Sequence, residues 1–207
     1  LQHSAAYGEE AIGIFVRKTL NQLTEVIARA QQIFLRVGAT YHKQEKTFTM
    51  KNGARLKFVY LERDSDAENY QGHSYTRVYI EEATNFSTPI AINKLRATLR
   101  SASGVPVGLR LTGNPGGPGH NWVKARYIDP DPKGYKVITE STDLEQPDGS
   151  KIVVSLSRVF IPSKMRDNVD LLRNDPTYKL RLMQSGSEAL VRAWLEGDWS
   201  IVDGAFF

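Results

Sequence analysis

The chain has 207 residues and a formal net charge of +4, with 27 Lys and Arg against 23 Asp and Glu and no cysteine. That length suits one domain with a small appendage, and the lack of cysteine excludes disulfides, Cys-ligated zinc, iron–sulfur clusters and thiol nucleophiles. No run approaches the roughly 18 apolar residues of a membrane span and no secretory leader opens the chain, so a soluble, intracellular protein with no membrane partner is expected.

Residues 1–6 read as the end of a helix that Gly8 stops, and a chain opening on Leu1 rather than Met is expected to begin inside a fold. Residues 11–16 form a short apolar run bounded by Arg17 and Lys18, which predicts a buried strand. Leu20, Leu23, Val26, Ile27, Ala30, Ile33 and Phe34 then recur at spacings of three and four, the face of a helix ending near Gly38. Strands at 46–50 and 55–60 flank Asn52-Gly53, a pair suited to a tight hairpin turn. A strand at 77–80 runs directly into Glu81-Glu82.

Beyond it a helix is expected over 89–100, with Pro89 in its first turn and Ile92, Leu95 and Leu99 on one face. A strand at 107–111 empties into Thr112-Gly113-Asn114-Pro115-Gly116-Gly117-Pro118-Gly119, too rich in Gly and Pro for regular structure. Strands at 135–139 and 151–156 flank a turn at Pro147-Asp148-Gly149, and residues 168–196 read as two or three short helices broken at Pro176 and Gly186. Alternating strands and helices predict an α/β fold: a mainly parallel sheet flanked by helices and interrupted by a β-hairpin insertion. The expected division is 1–130 and 131–207.

Two adjacent carboxylates at the end of a buried strand repel each other unless a cation or cationic group neutralises them. A magnesium nucleotide supplies such a partner: one acid holds the metal, usually through water, and the second orients and deprotonates the attacking water. The alternative is a strand that simply ends in a solvated acidic turn. The next strand also ends in small polar groups, Thr112 and Asn114, on the edge where open α/β sheets place ligands, although a Gly-Pro loop can be a plain connection. Arg17, following a strand on that same expected edge, could touch a phosphate, act across a subunit boundary, or form a surface salt bridge.

Val78-Tyr79-Ile80-Glu81-Glu82-Ala83 resembles the Walker B segment of the large terminases of tailed bacteriophages and prophages, and Leu111-Thr112-Gly113-Asn114-Pro115 resembles their coupling motif. Ile14-Phe15-Val16-Arg17-Lys18-Thr19, Tyr70-Gln71-Gly72, Asp167-Asn168 and Leu195-Glu196-Gly197-Asp198-Trp199 extend the resemblance over nearly the whole chain. It implies a P-loop ATPase motor with a small C-terminal lid subdomain, which drives double-stranded DNA into a procapsid. Glu81 would be the Mg2+-associated acid, where many relatives of the wider class carry Asp, and Glu82 the catalytic base. Arg17, Thr112 and Asn114 would serve the nucleotide. ATP and Mg2+ are the implied cofactors. A small terminase subunit, a portal protein and a homo-oligomeric motor ring are the implied partners, in the bacterial host cytoplasm and transiently at the portal.

No G-x-x-x-x-G-K-[ST] run occurs in the sequence. The resemblance places that phosphate loop before Leu1 and a nuclease domain beyond Phe207, and implies feeble hydrolysis by these residues alone. A helicase-like or recombination ATPase, or a non-catalytic assembly module, are the rival readings.

The remaining candidates have ordinary explanations. His3, His42, His73 and His120 show no zinc-ligand spacing. Asp64 with Asp66, and Asp129 with Asp131, sit among turn-forming neighbours. Trp122, Trp194 and Trp199 read as packing anchors, and Lys94, Arg96 and Arg100 as an exposed helix face or a DNA-facing stripe.

Overall fold

A computed structural model describes residues 1–200, which fall into two compact units, the first spanning Leu1–Gly113 and the second beginning at Asn114. The division comes earlier than the 130/131 boundary read from the sequence. The irregular 112–119 stretch spans it, and the helical turn from His120 belongs to the second unit.

In the first unit, helix α1 (Gln2–Tyr7) precedes strand β1 (Ile12–Arg17), and helix α2 (Leu20–Phe34) follows it. Strands β2 (Thr40–His42), β3 (Thr47–Thr49), β4 (Arg55–Tyr60), β5 (Arg77–Ile80) and β6 (Gly108–Leu111) complete a six-stranded sheet in the order β2-β3-β4-β1-β5-β6. β4, β1, β5 and β6 run parallel, while β2 and β3 make an antiparallel border. The short strand β2 was not anticipated; its three residues are too few to carry a readable alternation.

Thr19 caps α2 by accepting from the Gln22 N–H at 3.4 Å, and Gly38 takes the left-handed conformation (φ 78°) just beyond the helix. The expected helix face packs against β1 and β4, with Leu23 and Ala30 buried beside Phe48 and Phe58. Leu20 and Ile33 are corrections to that face, being 41% and 42% exposed. Phe48 meets Phe34, Tyr41 and Phe58 at centroid separations of 5.1, 4.6 and 5.4 Å, so an aromatic cluster closes this side of the sheet. Ile14, Val16, Val78 and Ile80, on the alternate positions of β1 and β5, are fully buried, so one face of the sheet is covered along both strands. Thr19→Ala should lower stability by about 1 kcal/mol through loss of the cap, read as a shifted denaturant midpoint at constant slope.

Helix α3 (Ile90–Arg96) packs on β5 and on the 64–70 turn, and is shorter than expected. The Thr98 hydroxyl donates to Leu95 O at 2.6 Å, competing for a helix-end carbonyl, and the chain then pairs with Tyr75. Leu99 therefore lies in an extended bridge rather than on a helix face.

In the second unit, α4 (His120–Val123) continues into a wide π turn at Lys124–Ile128, a segment to which the sequence pattern assigns no structure. Strands β7 (Ile138–Glu145) and β8 (Lys151–Arg158) form a two-stranded antiparallel hairpin. Its first strand starts later and runs further than the expected 135–139. The Glu145↔Lys151 register fixes pairing from the turn outward, and Tyr135 has φ 72°. Helices α5 (Val169–Asn174), α6 (Tyr178–Met183) and α7 (Glu188–Glu196) follow, separated near Pro176 and Gly186 as expected.

Candidate active site at the carboxyl edge of the sheet

Parallel pairing brings the carboxyl ends of β4, β1, β5 and β6 to one edge. The ladder continues past the strand ends: Leu61 N donates to Arg17 O (3.1 Å), Glu81 N to Val16 O (3.0 Å) and Thr112 N to Ile80 O (2.9 Å). Arg17, Glu81 and Thr112 therefore occupy one row across the sheet, each one step beyond the register Val16↔Ile80↔Leu111. Sequence reasoning placed all three on this edge, and the fold brings them there. Asn114 is the first residue of the second unit.

Glu82 has a backbone that an L-residue rarely adopts, at φ 55° and ψ 58°. The left-handed region costs a residue with a Cβ about 1–2 kcal/mol. Two hydrogen bonds hold it: Ala83 N donates to Thr112 O (2.8 Å) and Asn85 N to Glu82 O (2.9 Å). Phe86, 1% exposed, anchors the far end of the turn. Lys18 stands 5.2 Å over the Phe86 ring and also donates to Glu62 O at 2.6 Å. A Cβ added to Gly113 would lie 3.4 Å from Ala83 N and 3.5 Å from Thr84 N, so the chain leaving β6 passes close to the acid turn. The first turn after β5 and the first residues after β6 are thus fastened together through backbone.

Glu81 lies beside Arg17, with Nε and Oε2 3.2 Å apart and the two side chains 35% and 14% exposed respectively. Neither of those atoms makes a hydrogen bond to the described residues, and Arg17 Nη1 is likewise buried without one. The contact is an ion pair of poor directionality. Of the alternatives for Arg17 it favours the salt bridge, though one that is largely shielded and made to the site itself.

Among the described residues no cluster of three or more His, Asp or Glu side chains is assembled to hold a metal ion. One or two carboxylates, completed by water and phosphate oxygens, are what a hard, octahedral Mg2+ takes. Glu81 and Glu82 fit that donor chemistry, and Glu81 Oε2 is a buried oxygen with no hydrogen bond in place.

The other candidates resolve into structure. His73 stacks on Tyr75 at 5.8 Å. His120 is buried, accepts from Gly116 N at 3.0 Å and stacks on Trp199. Asp64 accepts from the Thr88 hydroxyl and Asp66 from Arg63 N, while Asp129 pairs with Lys124 and Asp131 accepts from Lys136 N. Lys94 pairs with Glu68, and Arg100 donates to Ser74 Oγ and Gly72 O, so two of the three cations of the supposed stripe are engaged in tertiary contacts.

A mainly parallel sheet flanked by helices, with an acid pair and a small polar turn side by side at its carboxyl edge, places the chain among α/β proteins that meet ligands at that edge. The chain belongs to the large-terminase family: the family described as terminase large subunit, T4likevirus-type, N-terminal, matches residues 6–207. Two solved structures of the large terminase from a thermophilic bacteriophage share the fold. The one in complex with ADP has a TM-score of 0.62 at 18% identity, and a second crystal form has 0.62 at 19%. Each alignment covers 92% of this chain and 41% of the thermophilic phage's chain, so this chain spans about two fifths of the protein it matches. No curated protein matches it by sequence.

Proposed function

We propose that this chain forms the ATP-hydrolysing part of a DNA-packaging motor that moves double-stranded DNA into a phage procapsid in the bacterial host cytoplasm. The observation that carries the reading is the strained Glu82 turn, clipped by Ala83 N to Thr112 O at the carboxyl edge. Sparsely populated backbone conformations persist where the surroundings over-determine them, and they gather at functional sites. The ADP held by the thermophilic phage terminase, which has the same fold, supports a nucleotide as the ligand.

In this reading Glu81 is the Mg2+-associated acid. Glu82 accepts the proton of the attacking water, and Thr112 with Asn114 transmits the state of the phosphates. Bound Mg2+ would offset negative charge on the phosphates. The left-handed backbone at Glu82 turns the chain off the strand direction, which separates the two neighbouring acids into different roles. A portal protein, a small terminase subunit and sister copies of the motor complete the proposed machine.

The test is calorimetry of ADP with Mg2+, beside DNA-stimulated ATP hydrolysis, on the full-length gene product. Absence of both would sink the proposal. Thr112→Val isolates the coupling role, because its backbone N–H and C=O bonds survive and only an exposed hydroxyl is lost. One hydrogen bond is worth about 0.5–1.5 kcal/mol, so DNA moved per ATP should fall about two- to tenfold with ADP affinity unchanged. Unaltered transport per ATP would return the loop to a plain connection.

A further inference from the structure

We propose that Arg17 is an exchange residue: it holds Glu81 when the edge is empty and releases it to donate to an anionic phosphate when nucleotide arrives. This rests on the nucleotide-hydrolase reading of the same edge and adds a rule for how its charges rearrange. Three observations carry it. Arg17 Nε and Glu81 Oε2 are 3.2 Å apart, yet neither makes a hydrogen bond to the described residues. Arg17 Nη1 is buried and also lacks one, so the guanidinium holds donor capacity that the protein leaves unused. The side chain is only 14% exposed and sits in the same row as Glu81 and Thr112, on the edge where a phosphate would lie.

The physical argument concerns what each partner gains. A buried N–H without an acceptor is costly, and an ion pair lacking directional bonds recovers little of that cost. A phosphate offers several acceptor oxygens to the planar fork of an arginine. Moving the guanidinium from Glu81 to phosphate satisfies the orphaned donors and leaves the Glu81 carboxylate unpaired, at the moment a Mg2+ ion arrives with the nucleotide. Conversely, with no anion present the Arg17 charge lies against Glu81 and disfavours a cation there. Lys18 does not duplicate the role, because its ammonium is committed to Glu62 O and the Phe86 ring.

The experiment measures ADP binding to the full-length protein in EDTA, where no metal contributes, together with inorganic phosphate as a second probe. Glu81→Gln should bind metal-free ADP about tenfold more tightly than the parent, because Arg17 no longer has a carboxylate to leave. Charge removal alone would also favour an anion, so the deciding protein is the double variant Arg17→Gln with Glu81→Gln. Loss of the whole gain in that protein supports the exchange, and persistence of the gain overturns it. Arg17→Lys in the Glu81→Gln background keeps the charge without the fork and should retain only part of the gain; complete retention would overturn the role of the guanidinium geometry. Melting curves of each variant verify folding. If the parent fails to bind ADP with Mg2+, the proposed function falls. If it binds normally and Glu81→Gln shows no metal-free gain, only the exchange falls.

Discussion

Glu82→Gln in the full-length protein is expected to lower ATP turnover by about 10²–10⁴-fold, the range that a positioned general base supplies. The amide keeps the length and shape of the side chain but cannot accept the proton of the attacking water. Gln and Glu carry the same Cβ into the left-handed backbone at φ 55°, so the substitution leaves the turn and its bond to Thr112 O as they are. Binding of ADP with Mg2+ should therefore remain at the parental level, since Glu81 still stands at the end of β5. Steady-state turnover and calorimetry on the same preparation make the comparison. Parental turnover would remove Glu82 from the role of base. Loss of binding together with turnover would show instead that the acid pair acts as one metal-holding unit.

Much of this edge is legible in the sequence because it depends on local pattern. The short strand-forming segment at 77–80 followed by two acids sets the end of β5 wherever the strand lies, and parallel pairing then delivers Glu81 to the same side as Arg17. The three- and four-residue spacing in α2 and the Asn52-Gly53 turn are equally local, and both appear where expected. Features set by distant partners are not legible. Leu20 and Ile33 share the periodicity of the core face, yet they stay exposed while Leu23, Ala30 and Phe34 meet the aromatic cluster. β7 is rich in acids and polar residues, and only its register with β8 shows how far it runs. Nor could the Arg17–Glu81 contact be read, because the residues are far apart in sequence and the strand order brings them together.

The conformation of Glu82 is the least legible feature of all, since local preference argues against it: Gly or Asn would be the residue to expect at φ 55°. The comparison of Glu82→Gly with Glu82→Ala tests whether that disagreement is a functional cost. Both variants remove the carboxylate, so both should lose turnover by about 10²–10⁴-fold, as the glutamine does. They differ at one Cβ. In the left-handed region that carbon costs about 1–2 kcal/mol, whereas glycine adds about 0.5–1 kcal/mol of chain entropy to the unfolded state. The glycine protein should therefore be the more stable of the two inactive variants, by about 0.5–1 kcal/mol, read from denaturant midpoints at equal slope. Equal stability would mean that the turn relaxes once the glutamate is gone, so that the side chain rather than the bonds to Thr112 and Asn85 holds it. A more stable and inactive glycine protein would identify Glu82 as a residue kept against its backbone preference, where stability is given up so that a carboxylate leaves the strand at a fixed angle.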